Sequence, residues 1–132
     1  ETLSRTTASS WAKETNINLE RALLPTSRMG GHFVQGHVDG IVKILNIESL
    51  KDSAVWHFSL TDEHKMYIVE KGSICLDGIS LTVAQKSSEY FSVALIPHTL
   101  NVTTWGQKEI GDLVNIEVDI MAKYIRNLME KE

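Results

Sequence analysis

With 132 residues, 42% of them hydrophobic, the chain supports one compact domain with a real core. Its 13 Lys and Arg are scattered among 17 Asp and Glu, for a formal net charge of −4. That balance excludes the basic footprint of sequence-independent nucleic-acid binding. No apolar run approaches a membrane span and no charged-then-apolar leader opens the chain. Cys75 is the single cysteine, so an intrachain disulfide is impossible and no oxidising compartment is implied. The expectation is a soluble, cytoplasmic protein with no nucleic-acid and no membrane partner.

The chain opens on half of an internal repeat. Residues 1–23 align without a gap on residues 98–120: Thr2, Leu3, Thr6, Thr7, Asn18 and Glu20 meet Thr99, Leu100, Thr103, Thr104, Asn115 and Glu117 at a constant offset of 97. Ile17, Leu19 and Leu23 meet Val114, Ile116 and Ile120, so the alternating apolar face is repeated too. Residues 24–120 then form one full unit, and residues 1–23 are the tail of an earlier unit whose beginning lies outside this sequence.

Strand-like alternation follows through Phe33–Ile47, Ala54–Leu60, Ile79–Gln85, Tyr90–Ile96 and Val114–Ile120. Gly30-Gly31, Lys51-Asp52-Ser53, Asp77-Gly78, Ser87-Ser88 and Gly111-Asp112 separate these runs as turns, Asp77-Gly78 in the manner of a tight hairpin. A short helix is expected around Asp62–Val69, capped by Thr61 or Asp62. Six or so short strands with little helix predict a closed or nearly closed antiparallel barrel. At the end of the chain the period changes. Met121, Tyr124, Ile125, Leu128 and Met129 form an apolar helical stripe, with Lys123, Arg126, Asn127, Glu130 and Lys131 opposite. This helix, expected over most of 121–131, either folds back on the barrel or packs against copies of itself. Self-association is favoured, because the stripe follows the last strand with little linker.

Four clusters could carry chemistry. Met29 to Gly40 holds four glycines, which mark a close approach of backbone or ligand. His32 and His37 are five apart and point to opposite faces of a regular strand, which argues against a shared metal site. They are equally readable as histidines satisfied by neighbouring carbonyls, with the glycines easing a barrel bend. In the second cluster Ser80 and Thr82 share one strand face and offer two hydroxyls to one partner, with Leu81 and Val83 on the other face. A plainer reading is a pair of small hydroxyls at a strand exit. Cys75 reads as a small buried hydrophobe rather than a nucleophile. The third cluster is Ala94 to Thr99, a strand end stopped by Pro97. The fourth is Asp119, opposite the apolar face of the last strand, where a solvated carboxylate is the default.

GGHFVQGHVDG, YIVEKG, DGISLTV, LIPHTL and VNIEVD occur in this order, and together they closely resemble the C-terminal half of riboflavin synthase. Residues 1–23 resemble the end of its N-terminal half. The family's first barrel carries an Asn-Gly-x-Cys-Leu-Thr-Val motif; Asp77 and Ser80 stand here in place of that Asn and Cys, as in a second barrel. The resemblance implies an all-β, six-stranded antiparallel Greek-key barrel with a short helix and a C-terminal helix. It divides the chain into the tail of an incomplete first lumazine-binding barrel (1–23), a second lumazine-binding barrel (24–120) and a C-terminal oligomerisation helix (121–132). It implies a transferase that dismutates two 6,7-dimethyl-8-ribityllumazine molecules into riboflavin and 5-amino-6-ribitylaminouracil, as a homotrimer and without metal or redox cofactor.

By position, Ser80, Leu81 and Thr82 would hold the pyrimidine edge of the lumazine. Ala94, Leu95, Ile96, Pro97, His98 and Thr99 would line the same site with backbone groups and a hydroxyl. Gly36, His37, Val38 and Lys71 would also contact ligand, in a site completed by a neighbouring subunit's first barrel. Glu1 and Thr2 match the equivalent lining of the first barrel. His37, Ser80 and Asp119 are the polar groups placed nearest the proton transfers. Two other readings compete: a non-catalytic lumazine- or flavin-binding protein, and a generic barrel for nucleic acid or protein. The latter lacks the basic and aromatic stripe it would need, since Trp11, Trp56 and Trp105 are scattered.

Overall fold

The structure, a computed structural model, describes residues 1–130. Six strands carry the fold: β1 (Gly40–Ser49), β2 (Ala54–Ser59), β3 (Ser73–Leu76), β4 (Ile79–Lys86), β5 (Tyr90–Leu95) and β6 (Leu113–Val118). They close in the order β1-β2-β5-β4-β3-β6, and every neighbouring pair is antiparallel. Closure leaves no edge strand open to stray pairing. Register shifts between Ile44 and Asn46 and between Val83 and Gln85 bend β1 and β4, the local distortion that lets so few strands curl into a ring. Asp77 and Gly78 both take positive φ, 47° and 82°, which makes the β3–β4 connection a tight hairpin of the kind its sequence predicts.

The two-residue period of each strand sends one set of side chains inward. Val42, Ile44, Trp56, Phe58, Ile74, Leu76, Val83, Phe91, Val93, Leu95, Val114, Ile116 and Val118 fill the barrel, all of them buried. Trp105 packs on Trp56 with ring centroids 5.1 Å apart, and Phe58 stacks on Phe91 at 5.3 Å. Each large side chain buried here contributes about 1.5–3 kcal/mol. No helix among the described residues is long and apolar enough to cross a membrane.

Among the described residues four short helices decorate the barrel: α1 (Thr2–Arg5), α2 (Asp62–Lys65), α3 (Pro97–Val102) and α4 (Ile120–Met129). Three expectations need correcting. The ladder begins at Gly40 rather than Phe33, because Gly36 turns the chain at φ 75° and the Gln35 and Gly36 amides bond to a side chain instead of a strand. The helix after Thr61 stops at Lys65 instead of reaching Val69. The C-terminal helix starts one residue early, at Ile120; Lys131 lies outside the described residues. Its stripe of Met121, Tyr124, Ile125, Leu128 and Met129 is more than half exposed, so the helix is no apolar lid on its own barrel.

The repeat is visible in the backbone. α1 followed by a 3-10 turn at Thr7–Ser10 matches α3 followed by a 3-10 turn at Thr104–Gln107, at the offset of 97. Between helix and turn, Thr6 and Thr103 have nearly the same dihedrals, φ −127° and ψ 166° against φ −125° and ψ 172°. The match ends there. Residues 16–20 join no ladder, whereas their counterparts 113–117 form β6 between β1 and β3.

Candidate functional site

Pairing of β4 with β3 and of β3 with β6 fixes which residues share the barrel's outer face. Ser80 stands opposite Cys75, and Cys75 opposite Glu117. One step along, Thr82 stands opposite Ser73, and Asp119 follows Val118 at the end of β6. Since Ile74, Leu76, Ile116 and Val118 point inward, alternation sends Ser80, Thr82, Ser73, Cys75 and Glu117 outward.

Outward side chains are normally wet, yet Cys75 and Glu117 are only 3% and 5% exposed. The cover is the glycine-rich segment before β1. The Glu117 carboxylate accepts the Gln35 N–H at 2.8 Å and the Gly36 N–H at 3.0 Å. His32 Nδ1 lies 2.8 Å from Ser80 Oγ. A Cβ on Gly31 would fall 2.5 Å from Ser80 Oγ, so glycine is needed for this close approach. Burial, reinforced by the Glu117 charge, pushes the Cys75 thiol up to about 12, which makes it inert at neutral pH.

Both residues of the predicted pair reach the surface, the Ser80 hydroxyl while engaged with His32. Ser80 and Thr82 are both exposed, and among the described residues the Thr82 hydroxyl has no hydrogen-bond partner. Lys71 lies alongside, its N–H bonded to the Val83 carbonyl at 2.8 Å; it is exposed and holds a left-handed φ of 63°. On β5, which pairs with β4 at Val83–Val93, Ala94 and Ile96 face outward. Leu95 points into the core and can offer a ligand only its backbone; Leu81 likewise packs against the core. Pro97 begins α3, His98 is exposed, and the Thr99 carbonyl accepts the Thr103 hydroxyl at 2.6 Å.

The other expected residues sit apart from this patch or have structural work. Asp119 caps α4, its carboxylate accepting the Met121 N–H at 2.9 Å. Gly36 and His37 lie where the covering segment turns toward β1, with His37 exposed. Val38 lines a cleft of about 760 Å³ between residues 6–18 and the barrel. Glu1 and Thr2 open α1; Glu1 pairs with Arg5, and neither shares a hydrogen bond with Ser80 or Thr82. Sequence reasoning passed over Glu117 and His32 as the groups that seat the covering segment. The recurrence of a carboxylate at Glu20 and Glu117, at the same place in the repeat, was the available signal. It also passed over a polar cavity of about 360 Å³ between α2 and α4, where Lys123 pairs with Asp39 at 2.6 Å beside buried His64.

A family model described as the lumazine binding domain matches residues 35–119. The chain belongs to this family. Riboflavin synthase of Actinobacillus pleuropneumoniae is 43% identical over 132 residues, which is 100% of this chain and 61% of that protein. Riboflavin synthase of Brucella abortus is 45% identical over 130 residues, 98% of this chain and 64% of that protein. The resemblance drawn from the motifs is thereby borne out, and the chain spans about three fifths of the length of these relatives. Among solved structures, LumP complexed with 6,7-dimethyl-8-(1'-D-ribityl) lumazine superposes with a TM-score of 0.67 at 21% identity, over 76% of this chain and 54% of that one. At that identity the likeness speaks for the fold: a lumazine-binding-domain barrel accommodates this sequence.

Proposed function

We propose that this chain is a lumazine-binding module of a riboflavin synthase, and that it holds one 6,7-dimethyl-8-ribityllumazine on the outer face of β4. The observation that carries this is the exposed pair Ser80 and Thr82, two hydroxyls on one strand face beside Lys71 and the outward groups of β5. A lumazine edge alternates carbonyl and ring nitrogen, and two hydroxyls one strand-repeat apart can each donate or accept along it. Ala94, Ile96 and the start of α3 would lie against the ring system. The patch is open rather than concave, whereas small-molecule sites bury most of their ligand. A second module, from a neighbouring subunit, is therefore assigned the opposite wall, and the exposed stripe of α4 is assigned to holding subunits together.

In the dismutation one lumazine loses a proton from its 7-methyl group, and the other gives up a four-carbon unit that closes the new ring. Holding two identical substrates face to face supplies much of the acceleration by orientation. Ser80 on the patch, with His37 and Asp119 once a partner brings substrate to them, are the groups assigned to moving the protons.

The test is titration of the lumazine by fluorescence against Ser80→Ala. Loss of one hydrogen bond to a neutral ligand group costs about 0.5–1.5 kcal/mol, so affinity is expected to fall roughly threefold to tenfold. Ser59→Ala is no clean control, because the Ser59 hydroxyl accepts the Lys43 N–H at 2.9 Å. Ser88→Ala, exposed in the β4–β5 turn, is the better one and should bind like the parent. A folded Ser80→Ala chain with parental affinity would place the site elsewhere.

A further inference from the structure

Ser80 does not meet a ligand alone. Its hydroxyl oxygen lies 2.8 Å from His32 Nδ1, and the chain holds that ring in place on both sides. Just before it, the Gly31 backbone presses on the serine: a Cβ there would fall 2.5 Å from Ser80 Oγ and 2.9 Å from Ser80 Cβ. Just after it, the Gln35 and Gly36 amides are tied to the Glu117 carboxylate at 2.8 and 3.0 Å. The covering segment therefore crosses the outer face from β4 to β6, along the line of Ser80, Cys75 and Glu117, with His32 at the β4 end. A hydroxyl has one proton and two lone pairs, so what it offers a ligand depends on which of these its fixed partner takes. His32 Nε2, the other ring nitrogen, is buried and has no hydrogen-bond partner among the described residues.

We infer that His32 is a positioning residue for the lumazine site: it donates its Nδ1–H to Ser80 Oγ and so leaves the serine proton for the ligand. This rests on the reading of Ser80 as a ligand contact. The place of the ring proton follows from the orphaned nitrogen. A proton on Nε2 would be a buried donor without an acceptor, and such donors are rarer in folded proteins than acceptors left bare. In the neutral ring the proton is therefore assigned to Nδ1. A charged ring donates from Nδ1 as well, so the polarity is the same in both states. Ser80 then meets the ligand as a donor with its proton already aimed, and less orientational freedom is lost on binding. The atom of the lumazine edge that faces it must be an acceptor, a carbonyl oxygen or an unprotonated ring nitrogen, rather than an N–H. Glycine at position 31 is what lets the ring come this close, since any side chain there would collide with the serine.

The experiment is fluorescence titration of 6,7-dimethyl-8-ribityllumazine against His32→Asn and His32→Asp, each alone and combined with Ser80→Ala. Every buried hydrophobic side chain lies between Val42 and Val118, so a change at position 32 leaves the core intact. Asparagine puts an amide N–H where Nδ1–H stands, whereas aspartate, of the same shape, only accepts and draws the Ser80 proton to itself. Both keep the covering segment bonded to Ser80, so the Gln35 and Gly36 amides should exchange alike in the two variants. Their affinities should differ. His32→Asn is expected within about twofold of the parent, and His32→Asp roughly tenfold weaker, because a hydrogen bond to the ligand is lost and two acceptors meet. On the Ser80→Ala background the two should agree within about twofold, since the effect passes through the serine. Equal affinities for His32→Asn and His32→Asp overturn the inference. So does a difference that survives Ser80→Ala, or one matched by a difference in amide exchange, which would make His32 a latch on the segment and nothing more. Ser80→Ala with parental affinity sinks the reading of the site itself. Ser80→Ala that weakens binding while His32→Asp does not sinks this inference alone.

Discussion

Glu117→Gln is the substitution that most directly probes how the covering segment is held. The parent carboxylate is buried and accepts two backbone amides, Gln35 N–H and Gly36 N–H, at 2.8 and 3.0 Å. Glutamine keeps one acceptor oxygen and turns an NH₂ group toward the other amide, so one bond to a charged group is lost and two donors meet. Such a bond is worth about 1.5–3 kcal/mol. At about 2 kcal/mol, the segment should open roughly thirtyfold more often, since each 1.4 kcal/mol is a factor of ten. Native-state hydrogen exchange reads this directly. The Gln35 and Gly36 amides should exchange roughly thirtyfold faster, while the β2–β5 ladder keeps its protection, because the opening is local. Glu117→Ala leaves both amides without an acceptor and should accelerate them further, up to the ceiling set by global unfolding. Unchanged exchange at Gln35 and Gly36 in the glutamine variant would refute the assignment of Glu117 as the anchor of residues 31–38.

Two further outcomes follow from titratable groups. Cys75, with its thiol held up near 12, should resist iodoacetamide at pH 8 in the folded chain and react once denaturant exposes it; rapid alkylation of the folded chain would contradict its burial. Burial lowers the affinity of His64 for a proton below that of an ordinary imidazole at 6.5, against the opposing charges of Glu63 and Asp39 and alongside the Lys123 charge. The unfolded chain therefore takes up the proton first as pH falls. The contribution of neutral His64 is present above about pH 6.5 and is lost below it, so the Tm should drop on acidification, and His64→Gln should flatten that part of the profile. A Tm that rises as pH falls from 7 to 5 would reverse the sign.

The barrel was legible because its signals are local and periodic. Inward alternation from Ala54 to Leu60 and from Tyr90 to Ile96, and the Asp77-Gly78 hairpin, each specify their own structure within a few residues. The repeat was legible for the same reason, since Thr6 and Thr103 cap their turns with identical chemistry. What escaped depended on partners distant in sequence. Phe33 to Asp39 alternates like a strand, but the carboxylate of Glu117, some eighty residues on, draws off the Gln35 and Gly36 amides and overrides that pattern. Of the candidate site, the shared face of Ser80 and Thr82 could be read from spacing, whereas the capping duty of Asp119 could not. A carboxylate at a strand end reads alike whether it faces solvent, ligand or the first turn of a helix.

The measurement that tests the central claim most directly is a map of amide chemical shifts as 6,7-dimethyl-8-ribityllumazine is added to the chain. If one lumazine lies on the outer face of β4, the largest changes should cluster at Lys71, Ser80, Leu81, Thr82, Ala94, Ile96 and Thr99, and should saturate at one ligand per barrel. Changes confined to the cleft between Trp11 and Asn115, or no saturable change at all, would contradict it.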